Sequence, residues 1–258
     1  MMAKVLLILP RSTRTRKMRA VRYLLAGLQR NNVPYRIIDP RIVPGWKKQL
    51  DGITSALFWM YGYKSGGHGP EYLSFYSRIV PELQARGIAI HPSPIAEPTH
   101  SSHLAPWHKA GIPCPAFQKI SRGSEIVFPY PFIIRRDRKR SKGEDMYLVG
   151  NAEEEERIRK QKPFLDLAVE FIDVTSDDGW VRKYRTLTVG DKVFPEQVQL
   201  RHHWMVHQST TDAEADEIGK KETKRFMENG DPFAESLITA ARATDQTICA
   251  FDYSIKDG

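Results

Sequence analysis

Residues Glu170–His207 read EFIDVTSDDGWVRKYRTLTVGDKVFPEQVQLRHHWMVH, and the reading of the whole chain turns on this stretch. It opens with an apolar run, passes through a polar loop holding two aspartates and a glycine, and enters a basic hairpin that ends in a Trp/His cluster. Gly190-Asp191 separates RTLTV from KVFP as a two-residue turn, because glycine accepts the positive φ such a turn requires. Side chains alternate between the two faces of a strand, so Lys183 and Arg185 share one face and Arg182 and Tyr184 the other. Asp177-Asp178-Gly179 reads as a turn. Periodicity alone describes an amphipathic hairpin whose charged face meets solvent.

Working outward, Lys4–Leu9 is a compact apolar strand. An amphipathic helix follows, with Met18, Val21, Leu25 and Leu28 on one stripe. Tyr35–Ile38 makes a second strand, so the chain starts β-α-β with parallel strands. The loop at Pro10 lacks the G-x-G-x-x-G spacing of a dinucleotide site. Ser55–Tyr61 reads as a buried strand, Tyr63–Pro70 as a loop, Glu71–Arg86 as a helix and Ile88–His91 as a strand, which completes a small doubly wound unit. Pro92, Pro94 and Pro98 mark a boundary. A helix over Ser101–Ala110 stops at Gly111, and strands are expected at Phe117–Ile120 and Phe132–Arg136. Between Arg136 and Met146 lies a basic loop containing Gly143. Asn151 caps a charged helix. Beyond the hairpin, Thr211 and Glu214 have capping-box spacing, Asp231-Pro232 opens another helix with Asp as cap and Pro at its first position, and Thr247–Tyr253 is the last strand.

Composition narrows the function classes. At 258 residues the chain can hold one large domain or two small ones, and 41% hydrophobic with 27% charged residues is ordinary for a soluble protein. Val5–Leu9 is too short for a signal-peptide core, and no later run approaches a membrane span. The two cysteines, Cys114 and Cys249, are far apart and lack metal-ligand spacing, which suits a reducing, cytoplasmic compartment. Cys114 has no basic neighbour in sequence to activate it. The net charge of +8 comes largely from Arg11, Arg14, Arg16, Lys17, Arg19 and Arg22, and from Arg135, Arg136, Arg138, Lys139, Arg140 and Lys142. Such clusters attract nucleic acid, acidic surfaces or a polyphosphate, or are simply solvated faces. The second cluster has no interleaved aromatics for base stacking, which counts against nucleic acid. His202, His203 and His207 suggest a metal at first sight. On a strand, however, His203 and His207 lie about 13 Å apart, too far for one ion.

Order and spacing across most of the chain resemble the ATP-grasp superfamily. The residues that carry the resemblance are AGIPCP at Ala110–Pro115, PFIIR at Pro131–Arg135, EFID at Glu170–Asp173 and K-Y-R-x-x-x-V-G-D-K at Lys183–Lys192, with WMVH at Trp204–His207 and F-D-Y-S-x-x-D-G at Phe251–Gly258. The run from Asp178 to His207 looks especially like ATP-grasp domains of bacterial proteins sometimes joined to tetratricopeptide repeats. The resemblance implies an α/β protein with α+β subdomains: a Rossmann-like pre-ATP-grasp domain over 1–98, an N-terminal ATP-grasp subdomain with a basic lid loop over 99–165, and a C-terminal subdomain over 166–258.

It also implies an ATP- and Mg2+-dependent ligase that activates a carboxylate as an acyl phosphate for attack by an amine or similar nucleophile. The substrate is then a small molecule or peptide bearing a carboxylate, and an oligomer is compatible with this. Adenine would lie against the apolar strand Val169–Ile172, which includes Phe171, with backbone groups near Glu170 and Ile172 reading its edge and Asp173 at the ribose. Arg135 stands where the family commonly has a strand-end lysine, and a guanidinium can chelate phosphate oxygens in a bidentate way. Arg185 matches the hairpin arginine that neutralises the transferred phosphoryl group, with Lys183 on the same face. Lys142 and Gly143 match the flexible lid, and Asp252 the first acidic magnesium ligand. Two departures accompany the match. The second acidic ligand, in a Glu-x-Asn element, would lie past Gly258, which implies a fragment or a non-catalytic nucleotide-binding relative. Near the position of a phosphate-binding lysine the chain has His100 and His103 instead.

Overall fold

Parallel pairing defines the first part of the chain and antiparallel pairing the second. The computed structural model describes residues 5–8, 19–39, 45–58, 70–91, 99–137, 145–206 and 212–256. The chain divides into two compact units, residues 1–94 and 95–258. In the first, β1 (Val5–Ile8) is followed by helix α1 (Arg19–Arg30) and β2 (Tyr35–Ile38). A short 3-10 turn (Trp46–Leu50), β3 (Ser55–Phe58), helix α2 (Pro70–Ala85) and β4 (Ala89–His91) complete it. The sheet order is β2-β1-β3-β4, and every neighbouring pair is parallel. Leu6, Ile8, Ile38, Leu50, Ile79 and Leu83 fill its core. These strands are apolar nearly throughout, as parallel strands covered on both faces are.

The second unit begins with helix α3 (His100–Lys109), capped by Thr99, whose side chain accepts from Ser102 N–H. Four antiparallel strands, β5 (Phe117–Lys119), β6 (Phe132–Arg135), β7 (Met146–Val149) and β8 (Leu167–Glu170), form a sheet in the order β5-β8-β6-β7. Helix α4 (Ala152–Gln161) lies between β7 and β8 in sequence. Asn151 caps it as expected, accepting from Glu154 N–H, and Ile158 joins Phe132, Ile134 and Val149 in the core.

The decisive hairpin forms a second sheet. Strands β9 (Val181–Val189) and β10 (Lys192–Arg201) are joined at Gly190-Asp191, with Gly190 at φ 57°, and β11 (Ile248–Tyr253) pairs antiparallel on the other side of β9. Helices α5 (Ala213–Asn229) and α6 (Ala234–Ala243) join β10 to β11. Ala215, Gly219 and Phe226 are buried along one stripe of α5. At Gly219 the helix comes so close to β10 that an added Cβ would meet the Val198 carbonyl oxygen at 3.2 Å. Trp180, Tyr184, Val198 and Leu200 pack with Ala215 and Phe226, while Leu237, Ala240 and Ala241 of α6 pack with Phe251.

Two helix starts differ from the sequence reading. Thr211 lies outside the described residues, and Asp212 caps α5 by accepting from Ala215 N–H. Helix α6 begins at Ala234 rather than at Pro232. Asp231 turns its carboxylate to the Thr186 hydroxyl (2.5 Å), the Tyr253 hydroxyl (2.9 Å) and the Phe233 N–H (2.8 Å). Three donors, two of them from the sheet, outcompete a local cap.

Candidate active site

Strand alternation sorts the hairpin charges. Tyr184 meets Phe226 edge-on, and Arg182 binds Glu222 of α5 and Asp178 of the preceding turn. Lys183 and Arg185 are therefore left on the face away from the helices, the face that period-two reading assigns them. Asp252 on β11 and Gln197 on β10 lie directly opposite Arg185, and Gln199 lies opposite Lys183. Arg185 Nη1 donates to Asp252 Oδ1 at 2.9 Å, and its Nε donates to Glu196 at 3.0 Å. Lys183 Nζ lies 4.0 Å from Asp252 Oδ2 and donates to the Val206 carbonyl at 3.0 Å. Two cations and two carboxylates thus form one cluster across three strands.

Burial lowers the Lys183 pKa and outweighs the pull of Asp252. Burial also opposes the charge of Arg185, but Asp252 and Glu196 prevail and raise its pKa. Glu196 reaches Arg185 because the register shifts between Pro195 and Gln197. Proline has no N–H for the ladder, and bulges are among the few places a sheet accommodates it.

A second group forms where β6 ends. Arg135 Nη2 donates to His100 Nε2 at the first residue of α3. The imidazole is held neutral, its pKa pushed down to about 4 by burial first and then by the Arg135 charge. Asp137, two residues past Arg135, sits on the N-terminus of α3: Ser101 N–H donates to Oδ1 at 2.9 Å, the Ser101 hydroxyl to Oδ2 at 2.5 Å and the Thr99 hydroxyl to Oδ2 at 3.1 Å. Burial works against its charge, the Ser101 and Thr99 hydrogen bonds outweigh that, and the pKa falls below the usual value. His103, three residues on from His100, stacks on Trp107.

The third group follows β8. Glu170 does not point to an open site: its carboxylate accepts from Ala116 N–H at 3.0 Å, while its own N–H donates to the Ala116 carbonyl at 2.8 Å. Asp173 accepts from the Thr175 N–H and hydroxyl at 2.9 and 2.7 Å, which lowers its pKa, with a smaller effect from Lys256. Phe171 meets Trp204 edge-on at 6.2 Å between ring centres. Trp204 and Val206 belong to the same short segment, so the Phe171–Trp204 pair and the Lys183–Val206 hydrogen bond tie the end of β8 to the charged face. Ile172, the next residue after Phe171, is half-buried.

The structure thus brings Lys183, Arg185 and Asp252 together, links Phe171 to them through Trp204–Val206, and joins Arg135 to His100. Lys142, Gly143, Arg138, Lys139, Arg140, His207 and the arginines before residue 19 lie outside the described residues. Sequence reasoning missed Glu196 and Gln199. Glu196 depends on a register shift, but Gln199 was legible, because it is two residues from Gln197 on the strand opposite Lys183. His202 stacks on Trp180 at 3.5 Å between ring centres, a packing role. Among the described residues no group of three or more His, Cys, Asp or Glu could hold a metal ion by itself. A magnesium ion would therefore depend on Asp252 together with ligand oxygens, a donor set this ion accepts. Two open grooves of about 410 and 400 Å³ lie on the other face of the hairpin sheet, lined by Arg182, Tyr184, Phe226 and Tyr253, and hold none of the residues named for the site. No described helix is long and apolar enough to cross a membrane.

No family model matches the sequence, and no curated protein matches it. Solved structures do. D-alanine–D-alanine ligase from Bacillus anthracis is 12% identical, with a TM-score of 0.55 over 99% of this chain and 83% of the ligase. N5-carboxyaminoimidazole ribonucleotide synthetase from Thermotoga maritima is 13% identical, with a TM-score of 0.55 over 99% of this chain and 65% of the synthetase. A RimK-domain ATP-grasp protein from Sphaerobacter thermophilus is 15% identical, with a TM-score of 0.51 over 98% of this chain and 86% of that protein. Identities this low speak for architecture, and in architecture the chain has the ATP-grasp fold.

Proposed function

We propose that this protein is an ATP- and Mg2+-dependent ligase that activates a carboxylate as an acyl phosphate and joins it to an amine or similar nucleophile. The observation that most supports this reading is the cluster of Lys183, Arg185 and Asp252 on the helix-free face of the hairpin sheet. Phosphoryl transfer asks mainly for positioning and charge neutralisation, and these side chains supply both. The similar proteins named above are a ligase, a synthetase and an ATP-grasp protein, which agrees with the class of reaction. The parallel-stranded N-terminal unit is read as a Rossmann-like pre-ATP-grasp domain over 1–98, with ATP-grasp subdomains over 99–165 and 166–258.

In this reading, adenine rests against Val169–Ile172 and Asp173 serves the ribose. Arg135 binds phosphate oxygens while neutral His100 holds the guanidinium in place. Asp252 would hold a magnesium ion, which when bound would supply positive charge against the phosphate oxygens. Arg185, held between Asp252 and Glu196, supplies the guanidinium that neutralises the transferred phosphoryl group. A substrate carboxylate oxygen attacks the γ-phosphorus, the bond to ADP breaks, and an acyl phosphate forms. The amine then attacks the acyl carbon, inorganic phosphate leaves, and the amine loses a proton. Lys142 and Gly143 are read as part of the lid that keeps water out.

Calorimetry of magnesium-ATP binding tests the site. The wild type should bind, and Arg185→Ala and Asp252→Asn should each weaken binding by about tenfold or more, the loss of a charge-assisted contact. Equal affinity in all three proteins removes the assignment. ADP release with mixtures of carboxylates and amines then separates a working ligase from a nucleotide-binding relative.

A further inference from the structure

The charged cluster occupies only half of the helix-free face. Leu187 and Val189 follow Lys183 and Arg185 at period two on β9, so all four share that face. Phe194 and Ala250 lie directly opposite Leu187, and Ile248 lies opposite Val189. Directly opposite residues point to the same side of a sheet, so an apolar row continues from Arg185 toward the turn. Val193 and Cys249, their neighbours on the other face, pack against the α6 cluster instead. Val189 is 40% and Phe194 46% exposed, Ala250 is exposed, and Leu187 and Ile248 are half-buried. None of these five belongs to a described core cluster. An exposed apolar patch continuous with a charged site is a surface suited to a ligand with both characters.

The direction of the row decides which ligand. Lys183 is tied through Val206 to the Trp204 segment, and Trp204 meets Phe171 at the end of β8, where the base is read to lie. The nucleotide therefore takes the Lys183 end of β9, and the patch lies at the other end with Arg185 between them. In phosphoryl transfer the entering and leaving oxygens stand roughly in line across the phosphorus. With ADP leaving toward Lys183, the attacking carboxylate comes from the side of Leu187. Arg185 can meet it, because Glu196 takes Nε and Asp252 takes Nη1, while Nη2 donates to no described residue. Arg185 and Leu187 are about 6.6 Å apart along the strand, so a group attached to that carboxylate rests on Leu187, Phe194 and Ala250. A charged group laid there would give up hydration and meet no partner before Lys192, at the turn opposite Val189.

We infer that Leu187, Val189, Phe194, Ile248 and Ala250 form an apolar subsite for the acid substrate, so that the protein selects carboxylic acids bearing an aliphatic or aromatic group. This inference rests on the ligase reading above and names the substrate class of that site.

The test titrates the protein, bound to magnesium-ADP so that the position of the transferred phosphoryl group stays open, with acetate, butyrate and hexanoate. NMR of the methyl groups of Leu187, Val189, Ile248 and Ala250 reads the patch itself. Hexanoate should shift these signals saturably, and affinity should rise by about threefold per methylene along the series. Hexylamine, with the same chain and the opposite charge, should bind at least about tenfold more weakly than hexanoate, because Arg185 cannot anchor it. Phe194→Ser should weaken hexanoate by about fivefold, and Phe194→Leu should restore most of that loss. Both changes are at an exposed side chain, and circular dichroism with thermal melting checks that each variant folds. No saturable shift, affinity independent of chain length, or equal binding of hexanoate and hexylamine overturns the inference. Methyl signals that move with protein concentration and not with acid also overturn it, and identify the patch as a face for a second copy of the chain. In each of these cases a protein that binds magnesium-ATP by calorimetry leaves the ligase reading standing. A protein that binds neither magnesium-ADP nor magnesium-ATP overturns both.

Discussion

Acid should weaken this fold through His100 in a defined window. Its ring is kept neutral by burial and by Arg135, with the pKa pushed down to about 4. In the unfolded chain an imidazole takes up its proton near pH 6.5. Between those values the unfolded chain carries a proton that the folded one refuses. Stability is therefore level above pH 6.5, declines as the pH falls, and levels again below about 4. The interval corresponds to at most about 3.5 kcal/mol at about 1.4 kcal/mol per unit, and solvent reaching part of the ring reduces the expectation to about 2 kcal/mol. The assay is urea unfolding across this window for the wild type and for His100→Gln. Glutamine keeps an acceptor for Arg135 and lacks the titration, and carboxylates common to both proteins cancel in the difference. The stability of the wild type relative to the variant should be flat above pH 6.5 and fall by about 2 kcal/mol toward the acid end of the window. A constant difference through the window refutes the reasoning.

Gly219→Ala should fail to give the roughly 1 kcal/mol that alanine normally brings to a helix interior, and should destabilise by about 1 kcal/mol instead. The new methyl would lie 3.2 Å from the Val198 oxygen and 3.4 Å from Leu200 Cδ1, and Thr223 bonds both the N–H and the carbonyl of Val198, so the strand cannot retreat; a raised melting temperature contradicts this. Asp231→Ala strands the hydroxyls of Thr186, 0% exposed, and Tyr253, and should cost about 2–4 kcal/mol in urea unfolding. Asp231→Asn, which keeps one strong acceptor, should cost less than the alanine change, and the reverse order would show that the carboxylate is not the anchor.

Local rules reached the hairpin because each of its determinants is local. Gly190-Asp191 marks the turn, and alternation separates Tyr184 from Arg185 without any knowledge of what packs on either side. The parallel start was equally legible from short apolar runs around a helical stripe. Relations between distant segments escaped. Asp137 occupies the start of α3 across 36 positions of sequence, and nothing in the local pattern of either segment announces the pairing. Asp231 looked like a cap because Asp-Pro favours helix starts, yet donors 45 and 22 positions away claim its oxygens. Glu170, which the resemblance places beside the base, has its carboxylate and its own N–H bonded to the backbone of Ala116, a partner 54 positions away that no local pattern announces.

Helix α3 is fastened at two points. Asp137 grips its first turn, and Trp107, near its other end, donates to the Ala240 carbonyl at 3.0 Å and packs on Phe251. Its ten residues make a rod of about 15 Å between the two sheets of this unit. A rod with both ends fastened transmits displacement rather than absorbing it. Its far fastening, Phe251, precedes Asp252 in the chain, and its near one surrounds His100. A shift of β11 would thus be felt at Arg135 through solid contacts, so the two charge clusters, which share no residue, should move as parts of one lever.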